Sequence, residues 1–101
     1  FTRIENLSSH GTPDLLAYNK RHTFFTVELK VSKTNSVRLS PHQISFHVRH
    51  PKNTFILVSS ERDSTVKLYE GSCILQLVAC GLKLDACCLS LEACYEKFRN
   101  L

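Results

Sequence analysis

The sequence predicts a single α/β domain, with a small mixed β-sheet flanked by α-helices. The chain has 101 residues, which leaves room for one hydrophobic core. Apolar residues alternate over Thr23–Val31, as in a half-buried strand, and run continuously over Thr54–Ser60, as in a central strand covered on both faces. Between them, Ser40-Pro41 is a helix start, with Ser as N-cap and Pro in the first turn. A strand, a helix and a strand in that order predict a parallel pair with a right-handed crossover.

The other elements are shorter and are placed by turn residues and by hydrophobic period. The predicted elements are, in chain order, strands over Thr2–Leu7, Asp14–Tyr18 and Thr23–Val31, a helix from Pro41 to about His50, strands over Thr54–Ser60 and Val66–Tyr69, and helices over Glu70–Cys80 and Ser90–Arg99. The polar turn at 19–22 predicts that the second and third strands form a hairpin or part of a meander. The last helix is expected to turn Leu91, Cys94, Tyr95 and Phe98 inward.

The charge of the chain is unevenly distributed. The formal net charge is +4, yet residues 1–52 hold eight Lys or Arg against three Asp or Glu, and the remaining residues hold five against six. All five histidines also lie in the first half. This asymmetry predicts a region that attracts a polyanion. The longest apolar stretch, residues 73–84, is interrupted by Gln76, Gly81 and Lys83, so no membrane partner is expected.

The five cysteines all lie in the second half, at Cys73, Cys80, Cys87, Cys88 and Cys94. An odd number cannot pair completely within one chain, and their neighbours are aliphatic, which is typical of buried thiols in a reduced compartment such as the cytoplasm. The spacing lacks the repeated C-x-x-C pattern of a zinc or iron–sulfur site.

Three residues could carry chemistry. Side chains alternate along a strand, so Glu28 and Lys30 share one face of the third strand, while Val27, Leu29 and Val31 share the other. If the preceding strand pairs with it, Asp14 converges on Glu28. Two carboxylates and a backbone carbonyl are hard oxygen ligands suited to Mg²⁺ or Mn²⁺, and a neighbouring ammonium can stabilise a developing oxyanion. The alternative interpretation gives these residues no catalytic role: Asp14 would be an ordinary turn residue, and Glu28 and Lys30 would form a solvated ion pair on the strand.

The order of these motifs resembles the PD-(D/E)XK nucleases. Gly11-Thr12-Pro13-Asp14 is followed after thirteen residues by Glu28-Leu29-Lys30, and then by Ser40-Pro41-His42-Gln43 at a helix start. The chain looks most like the small phage and viral branch, which is similar to VRR-NUC and Holliday-junction-resolvase-like domains, over about residues 3–60. The resemblance implies a restriction-endonuclease-like fold and hydrolysis of DNA phosphodiesters with Mg²⁺ or Mn²⁺.

The resemblance also implies a role for each matched residue. Asp14 and Glu28 would bind the metal together with the Leu29 carbonyl, Lys30 would be the catalytic lysine, and Gln43 would position substrate or water. Many family members carry a further Glu on a helix before the first strand. This chain begins Phe1-Thr2-Arg3 without that helix, which leaves two alternatives: the chain is a fragment that lacks it, or the site works without it.

DNA, as a duplex or a branched structure, is the expected partner. Gln43, His47 and His50 fall on one face of the first helix, which either faces the DNA or is simply solvated, with Ile44 and Val48 packed on the core. The basic residues expected to form a rim that contacts phosphates are Lys33, Arg38, Arg49 and Lys52, with His47 beside them.

Three hypotheses follow from the sequence. The first is a structure-selective endonuclease or junction resolvase, which as a homodimer would present two sites to two strands. The second is a non-catalytic nucleic-acid-binding module that retains the nuclease fold. The third, ranked last, is a protein-interaction domain without a nucleic-acid role.

Overall fold

The computed structural model describes the backbone of residues 2–5 and all of residues 15–101. These residues form five strands, three α-helices and two 3-10 turns. In chain order they are β1 (Thr2–Glu5), β2 (Leu15–Tyr18), β3 (Phe24–Ser32), α1 (Pro41–Arg49), β4 (Thr54–Ser60), β5 (Thr65–Glu70), a 3-10 turn (Gly71–Cys73), α2 (Ile74–Cys80), a second 3-10 turn (Gly81–Lys83) and α3 (Leu91–Arg99). The predicted α/β class is confirmed.

The five strands form one mixed sheet in the order β1-β2-β3-β4-β5. The first three are antiparallel neighbours, so the pairing of the second and third strands predicted from the polar turn at 19–22 is confirmed. β4 pairs with β3 in parallel, because α1 carries the chain back between them, and β5 returns antiparallel to β4. The parallel pair predicted from the strand, helix and strand pattern is therefore confirmed.

The start of α1 is fixed by a capping box. The Ser40 hydroxyl accepts the backbone N–H of Gln43, and the Gln43 side-chain oxygen accepts the backbone N–H of Ser40 at 2.9 Å. Pro41 needs no hydrogen bond at its nitrogen in this first turn. The helix ends at Arg49, just before the His50-Pro51 dipeptide, as predicted.

The sheet is covered on both faces. One face, here called the α3 face, packs Phe25, Val27, Phe55 and Leu68 against Cys94 and Phe98 of α3. The opposite face, here called the α1–α2 face, packs Ile56, Val58 and Tyr69 beneath Ile44 of α1 and Ile74 and Leu77 of α2. β4 contributes to both clusters, which is why its sequence is continuously apolar.

Two predicted inward faces differ from the structure. On α3, Cys94 and Phe98 are buried, but Leu91 and Tyr95 are 49% and 52% exposed, so the predicted four-residue stripe is wrong at two positions. On α1, Val48 is 52% exposed, although it was expected to pack with Ile44 on the core. Both helices have nine residues, and each turns a narrower strip towards the sheet than the apolar pattern predicted.

Within residues 2–5 and 15–101, no helix has both the length and the apolar character needed to cross a membrane.

Candidate active site

Glu28 and Lys30 lie on the α1–α2 face of β3. Glu28 is paired in register with Ile56 and Lys30 with Val58, and both partners belong to the cluster beneath α1 and α2. Val27 is paired with Phe55 on the other face, as the alternation predicted. Glu28 is only 2% exposed, whereas Lys30 is half-buried. A carboxylate this deeply buried is not a solvated surface group, which argues against the interpretation of Glu28 as part of a solvated ion pair.

Asp14 lies outside the described residues. The residue that follows it, Leu15, is paired in register with Val27, the residue before Glu28. The pairing of β2 with β3 ends there within the described chain, and from Glu28 to Ser32 the pairing partner of β3 is β4. Glu28 is therefore the first residue of β3 beyond the last described β2–β3 pair, and Lys30 lies two residues further along the strand.

Leu29 lies between these two residues and is paired with Leu57. Its side chain belongs to the opposite face and is 42% exposed. Its backbone carbonyl, the third predicted metal ligand, belongs to the peptide bond that joins Leu29 to Lys30. Within the described residues, no three His, Cys, Asp or Glu side chains come together as a metal site.

Lys30 stands at the edge of a basic cleft of about 650 Å³. Two further cations, Lys33 and Arg38, line the cleft, and none of its lining residues within the described part of the chain is acidic. The other lining residues are Val31, Thr34, Ser36 and Val37. The cleft lies at the carboxyl end of β3 and is made by the loop that joins β3 to α1. Its charge and shape suit a phosphate group or another anion.

The loop that forms the cleft is held in place by two contacts. The buried Ser32 hydroxyl lies 2.7 Å from the Thr34 carbonyl oxygen and 2.6 Å from that of Ser36, so it donates within the loop. The Asn35 carbonyl accepts the backbone N–H of Leu82 at 2.7 Å. Gly81 has φ +62°, and a Cβ at this position would overlap the Asn35 carbonyl oxygen. A glycine is thus required for the end of α2 to approach the loop so closely.

The predicted basic rim is divided between two places. Lys33 and Arg38 lie together in the cleft, but Arg49 ends α1 and Lys52 precedes β4, at the opposite end of the parallel pair. Lys52 lines a different depression, with Glu70 among its other walls. The structure therefore does not bring Arg49 and Lys52 to the cleft, and the prediction of one continuous rim is wrong.

Gln43 is engaged at the start of α1. Its side-chain oxygen caps the Ser40 N–H, so the capping box occupies that atom. Only the amide nitrogen of the Gln43 side chain can then serve the role predicted from the sequence, which is to position substrate or water.

His47 is buried beneath α1, which contradicts both the predicted DNA contact and the alternative of a solvated helix face. Its side chain is 0% exposed, and neither ring nitrogen has a hydrogen-bond partner within the described residues. The ring packs edge-on against Phe46, and a Cβ added to Gly71 would lie 3.1 Å from its Nδ1 atom. Burial disfavours the charged imidazolium and lowers the pKa of His47 from 6.5 to about 4. His50, by contrast, is exposed.

We expect the buried His47 to make folding stability depend on pH. The folded state keeps the imidazole neutral down to about pH 4, whereas the unfolded chain protonates it near 6.5. Protons therefore bind preferentially to the unfolded chain in this window, and the free energy of unfolding should fall as the pH drops from about 6.5 to 4, by at most about 3 kcal/mol.

Urea unfolding of the wild type, His47→Leu and His50→Leu at several values between pH 7 and 4 measures this contribution. The loss of stability on acidification should be smaller in His47→Leu than in the wild type, because no buried imidazole is left to protonate. His50→Leu should follow the wild type, since that ring is exposed in the folded state. Parallel pH curves for all three proteins would show that His47 is not buried in its neutral form.

All five cysteines are free thiols. Cys88 and Cys94 are buried as the sequence predicted, whereas Cys80 and Cys87 are exposed, so the prediction of five buried thiols is wrong at those two positions. Burial, with the neighbouring Cys88 as the next cause, raises the pKa of Cys94 to about 11. At neutral pH the Cys94 side chain is a thiol, whereas metal ligation and nucleophilic attack require the thiolate.

The fold and the site define a small α/β domain, with a buried acid and an adjacent lysine on one strand of a mixed sheet. Comparison of the chain with protein-family models, with curated proteins and with solved structures finds no match.

Proposed function

We propose that this chain is a metal-dependent nuclease of the PD-(D/E)XK type, which hydrolyses phosphodiester bonds of DNA. The observation that carries the proposal is the buried Glu28 carboxylate on the same face of β3 as Lys30, which lines a cleft together with Lys33 and Arg38. An acid, an ammonium and a basic cleft that can hold the phosphate are the parts that such a reaction needs. The mixed sheet flanked by helices supports the proposal, because the family resemblance implies a sheet of this kind.

The donor set fits a hard divalent cation. The Glu28 carboxylate, the Leu29 carbonyl and the Asp14 carboxylate are oxygen ligands, which Mg²⁺ and Mn²⁺ prefer over sulfur or nitrogen. When bound, the cation would lower the pKa of a water molecule and neutralise charge on the phosphate. The described residues contain one of the two carboxylates, so the experiment has to include both positions.

The other residues would orient and neutralise the substrate. The Lys30 ammonium, on the same face of β3 as Glu28, would stabilise the extra negative charge that develops on the phosphate oxygens during attack. Lys33 and Arg38 would hold the flanking phosphates, which fixes the position of the strand but reads no sequence. The proposed substrate is a duplex or branched DNA in the cytoplasm, and a homodimer would present two sites to its two strands.

Cleavage of a labelled DNA panel tests the proposal. The panel contains a linear duplex, a single strand, a flap and a four-way junction, each incubated with Mg²⁺ or Mn²⁺ and with EDTA. The wild type should cut at least one of them in a metal-dependent way, and Lys30→Ala should be about 10²–10³-fold slower, because the transition-state charge loses its stabilising ammonium. Lys97→Ala is a matched control, since Lys97 lies on α3, the helix that covers the opposite face of the sheet from Lys30, and does not line the cleft.

A non-catalytic nucleic-acid-binding module is the second candidate. It is favoured by the engagement of the Gln43 oxygen in a helix cap. In this case the panel is bound in a salt-dependent way but not cut with any metal. A wild type that neither cuts nor binds any DNA at low salt would overturn both functions.

A further inference from the structure

A second basic surface lies on the α3 side of the molecule, away from the cleft. It is a depression of about 420 Å³ whose lining residues are Lys20, Arg21, Tyr95 and Arg99. Tyr95 is 52% exposed, and the side chain of Arg99 is 60% exposed. Glu96 forms an ion pair with Arg99 at 2.8 Å but is not part of the lining. Three cations and one aromatic ring thus line the same open depression.

A buried asparagine holds the two sides of this depression together. Asn19 is 2% exposed, and its side-chain oxygen accepts the backbone N–H groups of Arg21 at 2.9 Å and Thr23 at 3.1 Å. Its amide nitrogen donates to the carbonyl oxygen of Phe98 at 2.8 Å, at the end of α3. The turn that carries Lys20 and Arg21 is therefore fixed against the helix that carries Tyr95 and Arg99.

We propose that this surface, here called the Tyr95 surface, binds a single strand of nucleic acid. A base would stack on the Tyr95 ring, and the phosphates on either side of it would contact Lys20, Arg21 and Arg99. Aromatic rings set among cations are the usual means of binding single strands, since every base has a face that can stack. An acidic peptide or a lipid headgroup would be held mainly by the cations, so its binding should depend less on the ring than that of a stacked base.

The position of the Tyr95 surface shows how it would serve the proposed nuclease. Lys20 and Arg21 precede β3, whereas Lys33 and Arg38 follow it, and nine strand residues span about 30 Å. The ring also stands on the helix that covers the opposite face of the sheet from Lys30. One straight strand segment cannot lie in both places, so a substrate that reaches both has two arms or bends around the domain. This use rests on the proposed function, but the binding itself does not require cleavage.

Binding of a fluorescent 12-nucleotide single strand, followed by anisotropy in EDTA, tests the proposal without any cleavage. Tyr95→Ala should weaken binding about tenfold, because the stacked base loses its platform, while Tyr95→Phe should bind like the wild type. The double variant Lys20→Ala/Arg21→Ala should lower the slope of log K against log salt by about 1.4, and Tyr95→Ala should leave that slope unchanged. Arg62→Ala is the matched charge control, because Arg62 is exposed in the turn between β4 and β5.

The outcomes separate the possible ligands. Equal affinity of the wild type, Tyr95→Ala and the double variant would overturn the proposal. So would a loss of binding in the double variant with Tyr95→Ala unaffected, since it would show attraction by charge alone. The proposal would also be overturned if vesicles containing phosphatidylserine, or an acidic peptide, displaced the labelled strand as well as unlabelled DNA does. Failure of the proposed nuclease activity, with Tyr95-dependent binding intact, would remove the first proposal and leave this one standing.

Discussion

Replacement of Glu28 by Gln is expected to lower metal-dependent cleavage about a thousandfold while leaving DNA binding in Ca²⁺ intact. Gln has the shape of Glu but lacks its charge, so the cation loses a ligand and the phosphodiester loses charge neutralisation. Binding should survive because Lys33 and Arg38 supply the contacts to phosphates from the cleft. The measurement is the single-turnover cleavage rate on the best substrate of the panel, together with anisotropy on the same DNA. Asp14→Ala is expected to behave in the same way.

Controls distinguish this loss from unfolding. Glu28 is 2% exposed, so a thermal melt of each variant must show that the fold is retained before rates are compared. Glu61→Gln removes an exposed carboxylate next to the end of β4 and should cleave like the wild type. Full cleavage activity in Glu28→Gln would eliminate the proposed catalytic site. Loss of both binding and cleavage in a folded variant would instead show that Glu28 maintains the geometry of the cleft and not the metal-dependent step.

The predictable parts of this structure are the ones that depend on local patterns. The alternation over β3 and the apolar run of β4 gave strands within one or two residues of their observed bounds, because each period matches one way of covering a sheet. The Ser40-Pro41 start and the Pro51 stop similarly bracketed α1. These features need no information from distant residues.

The parts that failed depend on contacts between elements that are far apart in the sequence. His47 is buried, and Val48 is exposed, because α1 turns its imidazole towards Gly71, which has no side chain to fill that space. Nothing within α1 indicates this orientation. The role of Asn19 was missed for the same reason, since its partner Phe98 is 79 residues away. The signal that could have been used is the polar residue at the end of an apolar strand, a common place for a side chain that caps a turn.

The candidate site contains one feature that the sequence predicted and two that depend on distant contacts. The shared face of Glu28 and Lys30 follows from the two-residue period of a strand, so the sequence predicted it. The burial of Glu28 does not, since it depends on α1 and α2 covering this face of the sheet. The prediction of one basic rim is wrong because it assigned four cations, spread over twenty residues of sequence, to one surface. The β3–α1–β4 crossover instead places Lys33 and Arg38 at one end of the parallel pair and Lys52 at the other.

The packing of α3 provides the second large expected effect. Phe98 is 6% exposed, and its ring stacks on Phe25 with centroids 4.7 Å apart and meets Phe55 at 5.2 Å. Phe98→Ala removes the centre of this aromatic cluster and leaves a cavity that the sheet cannot fill, so the free energy of unfolding should fall by about 3–5 kcal/mol.

Tyr95→Ala is the matched control on the same helix, because it also removes a ring but from a side chain that is 52% exposed. It should cost less than about 1 kcal/mol. Urea unfolding of the three proteins at pH 7 measures both values.

The sequence pattern assigned both rings to the core, in which case the two losses of stability would be similar. The structure requires the two losses to differ several-fold. Equal losses would mean that α3 is rotated from its observed position, and the Tyr95 surface would then not exist as described. A large loss in Phe98→Ala alone would place Tyr95 outside the core, where the proposed base stacking requires it to be.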